Sequence, residues 1–392
     1  MPKRRHKCRR EDIHAEEETN MIRELNTEQK QRINLTLSAL QIINGDREQF
    51  APHLTNSGFL NELLFRFAPQ ADASITDAVE RQRQRILSSL EKKKLSQETL
   101  DTVTEALLEP FRRELILKAS GHQKGSSLIF RLNNQNRDLF YSQDWPDAKY
   151  YDNTPSKYMK ALLEEYASHT MYQREAFYFQ EWITLAEAAA AAGRLLRITS
   201  VNAKGEKVVW DMRVYGILPN DAGLFHYIVG RSVLKGGLKS GERIASFRIS
   251  RIVDMRILSA AGIRSGSLSK AERKEISEKI AHDHVQFLVG EREECVVRLT
   301  EKGKRMYRQI QYMKPLASFI DEEGCLHFDC SSFQILQYFY RFGEHACILE
   351  PASLREVFYD EYKRAYEAYL KICADKETSL SEDLRWQGNK PI

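Results

Sequence analysis

Between Leu195 and Ile252 short apolar runs alternate with turn residues at intervals too brief for a helix to intervene. Leu195-Leu196-Arg197-Ile198-Thr199 turns at Lys204-Gly205 into Lys207-Val208-Val209-Trp210. Met212 to Leu218 ends at Pro219, Leu224 to Gly230 leads into Lys235-Gly236-Gly237, and Ala245 to Ile252 closes the series. Short strands joined by such turns predict a small, strongly bent sheet or barrel. Just upstream, Trp182 to Gly193 has helical spacing and high alanine content, with Gly193 as a natural C-terminal stop.

The same segment gathers arginine and tyrosine. Arg213 and Tyr215 share one strand face, Tyr227 and Arg231 another, and Arg248 and Arg251 lie close together in the last run. Arginine offers a planar fork to phosphate, and a tyrosine ring offers a stacking face to a base. The chain as a whole carries only +4 (59 basic against 55 acidic residues), so affinity for nucleic acid has to come from such local clustering. The alternative is that Tyr227 is core and the arginines pair with Asp211, Glu242 and Asp254.

The order of these elements resembles that of WYL-domain proteins. The Trp-Tyr-Leu signature falls on His226-Tyr227-Ile228, where only the tyrosine matches. The preceding helix, Ile217-Leu218-Pro219, and Phe247-Arg248-Ile249-Ser250-Arg251-Ile252 match better, although Ser250 stands where the family has aspartate. The resemblance implies an Sm-like barrel whose basic, partly aromatic groove binds a nucleotide or single-stranded nucleic acid, with His226 beside Tyr227 in it.

Nearer the N-terminus, Ile33, Leu35 and Leu37 alternate with Arg32, Asn34 and Thr36, the period of a strand with one buried face. Helical spacing follows from Ser38 to Gln49. Thr55-Asn56-Ser57-Gly58 then caps a second apolar-periodic run through Phe67. A lone strand before two helices cannot pair its own edge, so a second copy is expected to complete it. This resembles a ribbon-helix-helix domain over Gln31 to Ala68. Carried over, Arg32, Asn34 and Thr36 would meet bases, and Asn56 and Ser57 would hold a phosphate at a helix N-terminus. The alternative is a small helical domain with an edge strand. Further on, Ser74-Ile75-Thr76-Asp77 reads as a cap opening a connecting helical pair. Leu128 to Leu132 and Asp138 to Tyr141 read as a hairpin turning at Asn133 to Asn136, Tyr158 to Tyr166 as a helix, and Ala176 to Phe179 as a strand.

Beyond a Gly/Ser-rich linker (259–269) come a helix at 270–284 and strands at 295–299 and 325–328. Then follow a helix at 332–342, a strand at 346–351 and a helix at 353–371. Phe342-Gly343 and Ile348 to Leu354 resemble the C-terminal extension found after WYL domains, which implies an α+β, ferredoxin-like dimerisation module. The helical face Phe358, Tyr362, Tyr366, Tyr369 reads as core. The expected class is thus α+β and multidomain. It comprises a disordered charged tail (1–20), a ribbon-helix-helix-like domain (21–72), a helical linker with a hairpin (73–180) and a WYL domain (181–260). A linker and helix (261–290), the extension (291–375) and a second tail (376–392) complete it.

With 42% hydrophobic residues, the composition excludes collagen-like and wholly disordered chains. The basic N-terminus has no apolar segment behind it, no stretch reaches membrane-span length, and six unclustered cysteines suit a reducing cytosol. No nucleotide-cradling Gly-rich loop, nucleophile elbow or metal motif is present, and His282-Asp283-His284 reads as a helix end. The expectation is a cytoplasmic, non-enzymatic, homodimeric regulator with no cofactor or metal, and with single-stranded RNA or DNA, or duplex DNA, as partner. The combination resembles accessory proteins encoded beside type VI-D CRISPR effectors, which implies an RNA-guided ribonuclease as a further partner; transcriptional control is the other regulatory reading. A metal-dependent nucleic-acid-processing enzyme and a protein-only scaffold are the rival classes.

Overall fold

A computed structural model describes residues 30–90, 93, 95–117, 125–141, 148–201, 205–234, 242–258, 266–288 and 292–387, with side chains of the last helix described to Ile372. The tail at 1–20, the turn at 235–237 and most of the 259–269 linker lie outside these residues. The fold is α+β, with antiparallel sheets, and divides into two units, Met1–Ile183 and Thr184–Ile392.

In the first unit the expected alternation forms strand β1 (Lys30–Leu35), burying Gln31, Ile33 and Leu35 and exposing Lys30, Arg32 and Asn34. Its edge is satisfied within the chain. Strand β2 (Ser126–Arg131) pairs with it antiparallel, so no second copy is needed to complete the ribbon. The expected hairpin is therefore replaced. Asp138 to Tyr141 belongs to helix α4 (Asn134–Tyr141), because Asn133 accepts a bond from Asn136 N at 2.8 Å and caps a helix instead of turning a strand. Asn61, buried, fixes this corner: its amide donates to Arg131 O at 2.8 Å and accepts from Asn133 N at 2.8 Å.

Helix α1 (Leu37–Phe50) starts at the Thr36 cap, which turns Leu37 outward to 60% exposure. Helix α2 (Asn56–Leu90) runs uninterrupted through Pro69 and Ser74, and Thr76 bonds back to Asp72 O instead of opening a new helix. It packs against α3 (Gln97–Leu117). Helices α5 (Pro155–Ser168), α6 (Met171–Tyr178) and α7 (Gln180–Ala191) follow. The aromatic run expected as a strand is the end of α6, opened by a Thr170/Gln173 capping box. Tertiary ring packing overrides its β propensity: Tyr178 stacks on Phe50 at 5.5 Å and Phe177 meets Phe67 at 5.1 Å.

The second unit begins within α7, at Thr184. Gly193 takes φ +58°, and the bonds Gly193 N to Ala190 O and Arg194 N to Ala189 O close the helix end. Strands β3 (Leu195–Val201), β4 (Lys207–Pro219), β5 (His226–Leu234), β6 (Arg243–Arg248) and β7 (Ile252–Ile257) form one antiparallel sheet in the order β6-β5-β4-β3-β7. Two expected strands merge in β4, whose register slips at Tyr215, a bulge that bends the strand. Ile249–Arg251 is a 3-10 turn, not strand, and it returns β7 to the first strand. Among the described residues no ladder joins β6 to β7, so the sheet is bent but not a closed barrel.

Helix α8 (Lys270–Asp283) leads to β8 (Arg292–Leu299), α9 (Glu301–Gln309), β9 (Phe319–Ile320), β10 (Leu326–Ser331), α10 (Ser332–Phe339), β11 (Ala346–Glu350) and α11 (Ala352–Gln387). The second sheet has the order β11-β8-β10-β9, over a core of Val297, Phe328, Ile335, Tyr338 and Phe339. Helix α11 extends well into the segment expected as a tail. Of its aromatic face, Phe358 is buried and Tyr362 packs on the core, but Tyr366 and Tyr369 are exposed rather than core. Among the described residues no helix is long and apolar enough to cross a membrane.

Candidate nucleic-acid interface

The second unit contains a cavity of about 570 Å³ between the bent sheet and the C-terminal sheet module. Its sheet wall carries Trp210, Tyr227, Phe247, Arg248 and Arg251, with Phe225 at the rim. The facing wall is Phe287, Tyr312, Met313, Phe333 and Gln337. Trp210 meets Phe247 at 5.4 Å, and Phe287 meets Phe333 at 5.9 Å.

Each wall is held by local bonding. Asn220, nearly buried, accepts from Leu224 N at 2.8 Å and Phe225 N at 3.1 Å, which shapes the β4–β5 loop and presents the Phe225 ring. The Arg248 guanidinium lies 3.4 Å from that ring's centroid. Arg251, carried by the 3-10 turn, is exposed and has no ion-pair partner among the described residues. On the other side His284, at φ +62°, places Nδ1 2.8 Å from Asp221 Oδ2 and Nε2 3.2 Å from Lys314 O. It thus ties the β4–β5 loop to the Tyr312–Met313 segment. Both its partners are acceptors, so the doubly protonated ring fits best, and the Asp221 bond is the main cause raising its pKa above the ordinary histidine value.

Three residues expected at the site meet in this cavity: Tyr227, Arg248 and Arg251. Four others do not line it. Arg213 is locked between Glu242 and Glu272, with Nε 2.7 Å from Glu242 Oε1 and Nη1 3.1 Å from Glu272 Oε2. These bonds push its pKa up and hold Glu272 down to about 2. Arg231, its cross-strand neighbour, pairs with Glu272 at 3.7 Å and with Glu275. Tyr215 lies under Arg273 of α8 at 5.7 Å, and His226 is buried at the start of β5. The two arginines are structural because acidic side chains remote in sequence reach them first.

In the first unit, Arg32 and Asn34 face outward from β1 as expected. Thr36 does not. Its N–H and hydroxyl both donate to Glu164, at 2.6 and 2.9 Å, and its oxygen caps α1, so it cannot sit on the ribbon face. Asn56 and Ser57 open α2 behind the actual cap, Thr55, whose oxygen accepts from Gly58 N at 3.1 Å. Reading along the sequence missed Arg131, cross-strand from Lys30, and Ser127, cross-strand from Asn34, because β2 was assigned another partner. It also missed the cavity's Trp210, Phe225, Phe287, Tyr312 and Phe333. The half-exposed aromatic rings around Tyr312 and Phe333 carry no spacing signal that links them to the sheet.

His282 bonds Asp283 at 2.6 Å, and Asp283 also takes Lys279 at 2.9 Å. Among the described residues no group of three or more potential metal ligands converges. Burial pushes the thiols of Cys295 up to about 11 and of Cys330 to about 12, which keeps both protonated and poorly nucleophilic at neutral pH.

No family model and no curated protein matches the sequence. Among solved structures, one described as a CRISPR Cas-related protein aligns over 87% of this chain and 94% of its own, with a TM-score of 0.66 at 20% identity. The two folds are similar. Proteasome accessory factor B/C of Arthrobacter aurescens aligns over 83% of this chain and 48% of its own, with a TM-score of 0.28 at 13% identity.

Proposed function

We propose that this chain is a non-enzymatic, WYL-like nucleic-acid-binding regulator whose aromatic cavity takes single-stranded nucleic acid or a nucleotide. The observation that carries the reading is the meeting of Arg248, Arg251 and Tyr227 with rings from two facing walls. Stacked rings bind bases with little regard to sequence, and guanidinium groups bind phosphate. The strand order β6-β5-β4-β3-β7 supports an Sm-like sheet, and the β-α-β-β-α-β order of β8 to β11 supports a ferredoxin-like extension. Pairing with a second copy falls to the exposed Tyr366 and Tyr369 of α11. The likeness to a CRISPR Cas-related protein supports a role as accessory to an RNA-guided ribonuclease.

Transcriptional control is the second reading, favoured by the β1–β2 ribbon. Its outward face carries Lys30, Arg32 and Arg131 with Asn34 and Ser127, and the major groove of a duplex admits such a ribbon.

Titration of the full chain with labelled single-stranded and duplex oligonucleotides tests both. Phe333→Ala is expected to weaken single-strand binding by roughly 5- to 150-fold, since base stacking contributes about 1–3 kcal/mol. Unchanged single-strand affinity in Phe333→Ala and in Arg248→Ala/Arg251→Ala removes the cavity from the account. Arg32→Ala/Arg131→Ala is expected to reduce duplex binding alone.

A further inference from the structure

We propose that α9 is a phosphate-binding ridge that guides a single strand to the cavity, an inference that rests on the cavity reading above. The helix sequence is Glu301-Lys302-Gly303-Lys304-Arg305-Met306-Tyr307-Arg308-Gln309. Met306 and Tyr307 pack on the C-terminal core, whereas Lys302, Arg305 and Arg308 are exposed. Among the described residues none of these three has an ion-pair partner. The single carboxylate of the helix, Glu301, is engaged by Lys304 at 2.8 Å.

Helix stability does not account for this charge. Cations favour the C-terminal turn, where Arg308 lies, but oppose the dipole in the first turn, where Lys302 and Lys304 lie. Of the three cations only Lys302 opposes the dipole; it is the row of exposed cations at three-residue spacing, with no ion-pair partner among the described residues, that points to an external anion.

The ridge is also rigidly connected to the cavity. Thr300 caps α9, and Gly303 lies so close to His345 O that a Cβ there would approach it to 2.2 Å. Tyr307 donates to Pro315 O at 2.8 Å, and Tyr338 donates to Ile310 O at 2.7 Å. Between those anchors sits Tyr312, which lines the cavity. It lies four positions beyond Arg308, so the two Cα atoms are at most about 14 Å apart. From Lys302 to Arg308 the ridge spans about 9 Å of helix. Among the described residues the cavity offers many rings but only Arg248 and Arg251 as cations, so it suits bases. The phosphates of a longer strand have to be neutralised outside it, and α9 provides the charge.

The test compares the full chain with its Lys302→Ala/Arg305→Ala/Arg308→Ala variant, using a 12-nucleotide oligoadenylate (ribo and deoxy) and the dinucleotide ApA. Affinities are measured from 0.05 to 0.5 M salt. Loss of three phosphate contacts at roughly 0.7 each lowers the salt slope by about 2, which is about a hundred-fold weaker 12-mer binding at 0.1 M salt. ApA binding is expected to stay unchanged. The result with either sugar supports the ridge. Equal 12-mer affinity and slope, or an equal loss for ApA, overturns it. Phe333→Ala separates the two readings: loss of both ligands upholds the cavity. If both are retained while the ridge variant still weakens the 12-mer, the cavity reading falls and the guiding role with it, and α9 is left as a phosphate-binding surface alone. A wild-type chain that does not bind the 12-mer overturns both.

Discussion

Replacing Asp46 by alanine strands a buried cation. Arg174 Nε lies 2.7 Å from Asp46 Oδ2 and Nη2 lies 3.1 Å from Oδ1, while Tyr166 donates to Oδ2 at 2.8 Å. The Asp46 and Arg174 side chains are only 3% and 10% exposed. Only neutral acceptors remain to Arg174 among the described residues once the carboxylate is gone: His169 O for Nη1 and the Met171 sulfur for Nη2. Breaking a buried pair from one side typically costs about 3–5 kcal/mol, a large part of the roughly 5–15 kcal/mol that holds a domain folded. Tyr166→Phe removes one hydrogen bond and is expected to cost about 1 kcal/mol. The double variant Asp46→Leu/Arg174→Met removes both charges and is expected to recover most of the loss. Urea unfolding of the full chain, with hydrogen exchange resolved by peptide, is the assay. Protection is expected to fall in α1, α5 and α6 and to persist in β3 to β5. A cost below about 1 kcal/mol for Asp46→Ala, or a double variant as damaging as the single, refutes the reasoning.

Four other outcomes follow from local geometry. At Gly230 an added Cβ would meet Arg213 O at 2.1 Å, so Gly230→Ala is expected to cost about 3 kcal/mol by thermal melting, whereas Gly216→Ala, with open space around it, is tolerated. His284 has a raised folded-state pKa, so its stabilisation is full below about pH 6.5 and fades as pH rises through the folded value; His284→Gln is expected to flatten that part of the stability–pH curve. Glu272 behaves oppositely: its contribution is present above the unfolded value, about 4.3, and is lost as pH falls toward 2. Arg213→Ala is expected to shrink that acid-side loss, leaving the part due to Ser269, whose N–H donates to Glu272 at 2.8 Å, and to lower stability at pH 7, with single-strand affinity unchanged. Tyr366→Ala/Tyr369→Ala is expected to shift the chain toward monomer in sedimentation equilibrium; an unaltered mass removes α11 from pairing.

The sequence was most readable where one physical signal acted alone. The alternation of Ile33 and Leu35 predicted β1, and Gly193 predicted the end of α7, because burial period and positive φ are local properties. Asn133 misled because asparagine serves turns and helix caps equally well, and Ala176 to Phe179 because aromatic content mimics β propensity inside a helix. At the site, Arg248 and Arg213 look alike in sequence. What takes Arg213 out of the cavity is Glu242 and Glu272, 29 and 59 residues beyond it, a pairing that no local pattern announces. The facing aromatic wall was illegible for the same reason: Phe287 and Phe333 meet the sheet only through the tertiary fold.

The in-chain pairing of β1 with β2 also sets a timetable for synthesis. The strand at residue 35 has to wait for a partner made about 90 residues later, which at usual elongation rates is roughly 5–20 s on the ribosome. During that interval its backbone is an open template for any other nascent strand. Lys30 and Arg32, outward on the waiting strand, repel an identical neighbour, so the charges that face solvent in the finished protein also guard it while it is being made.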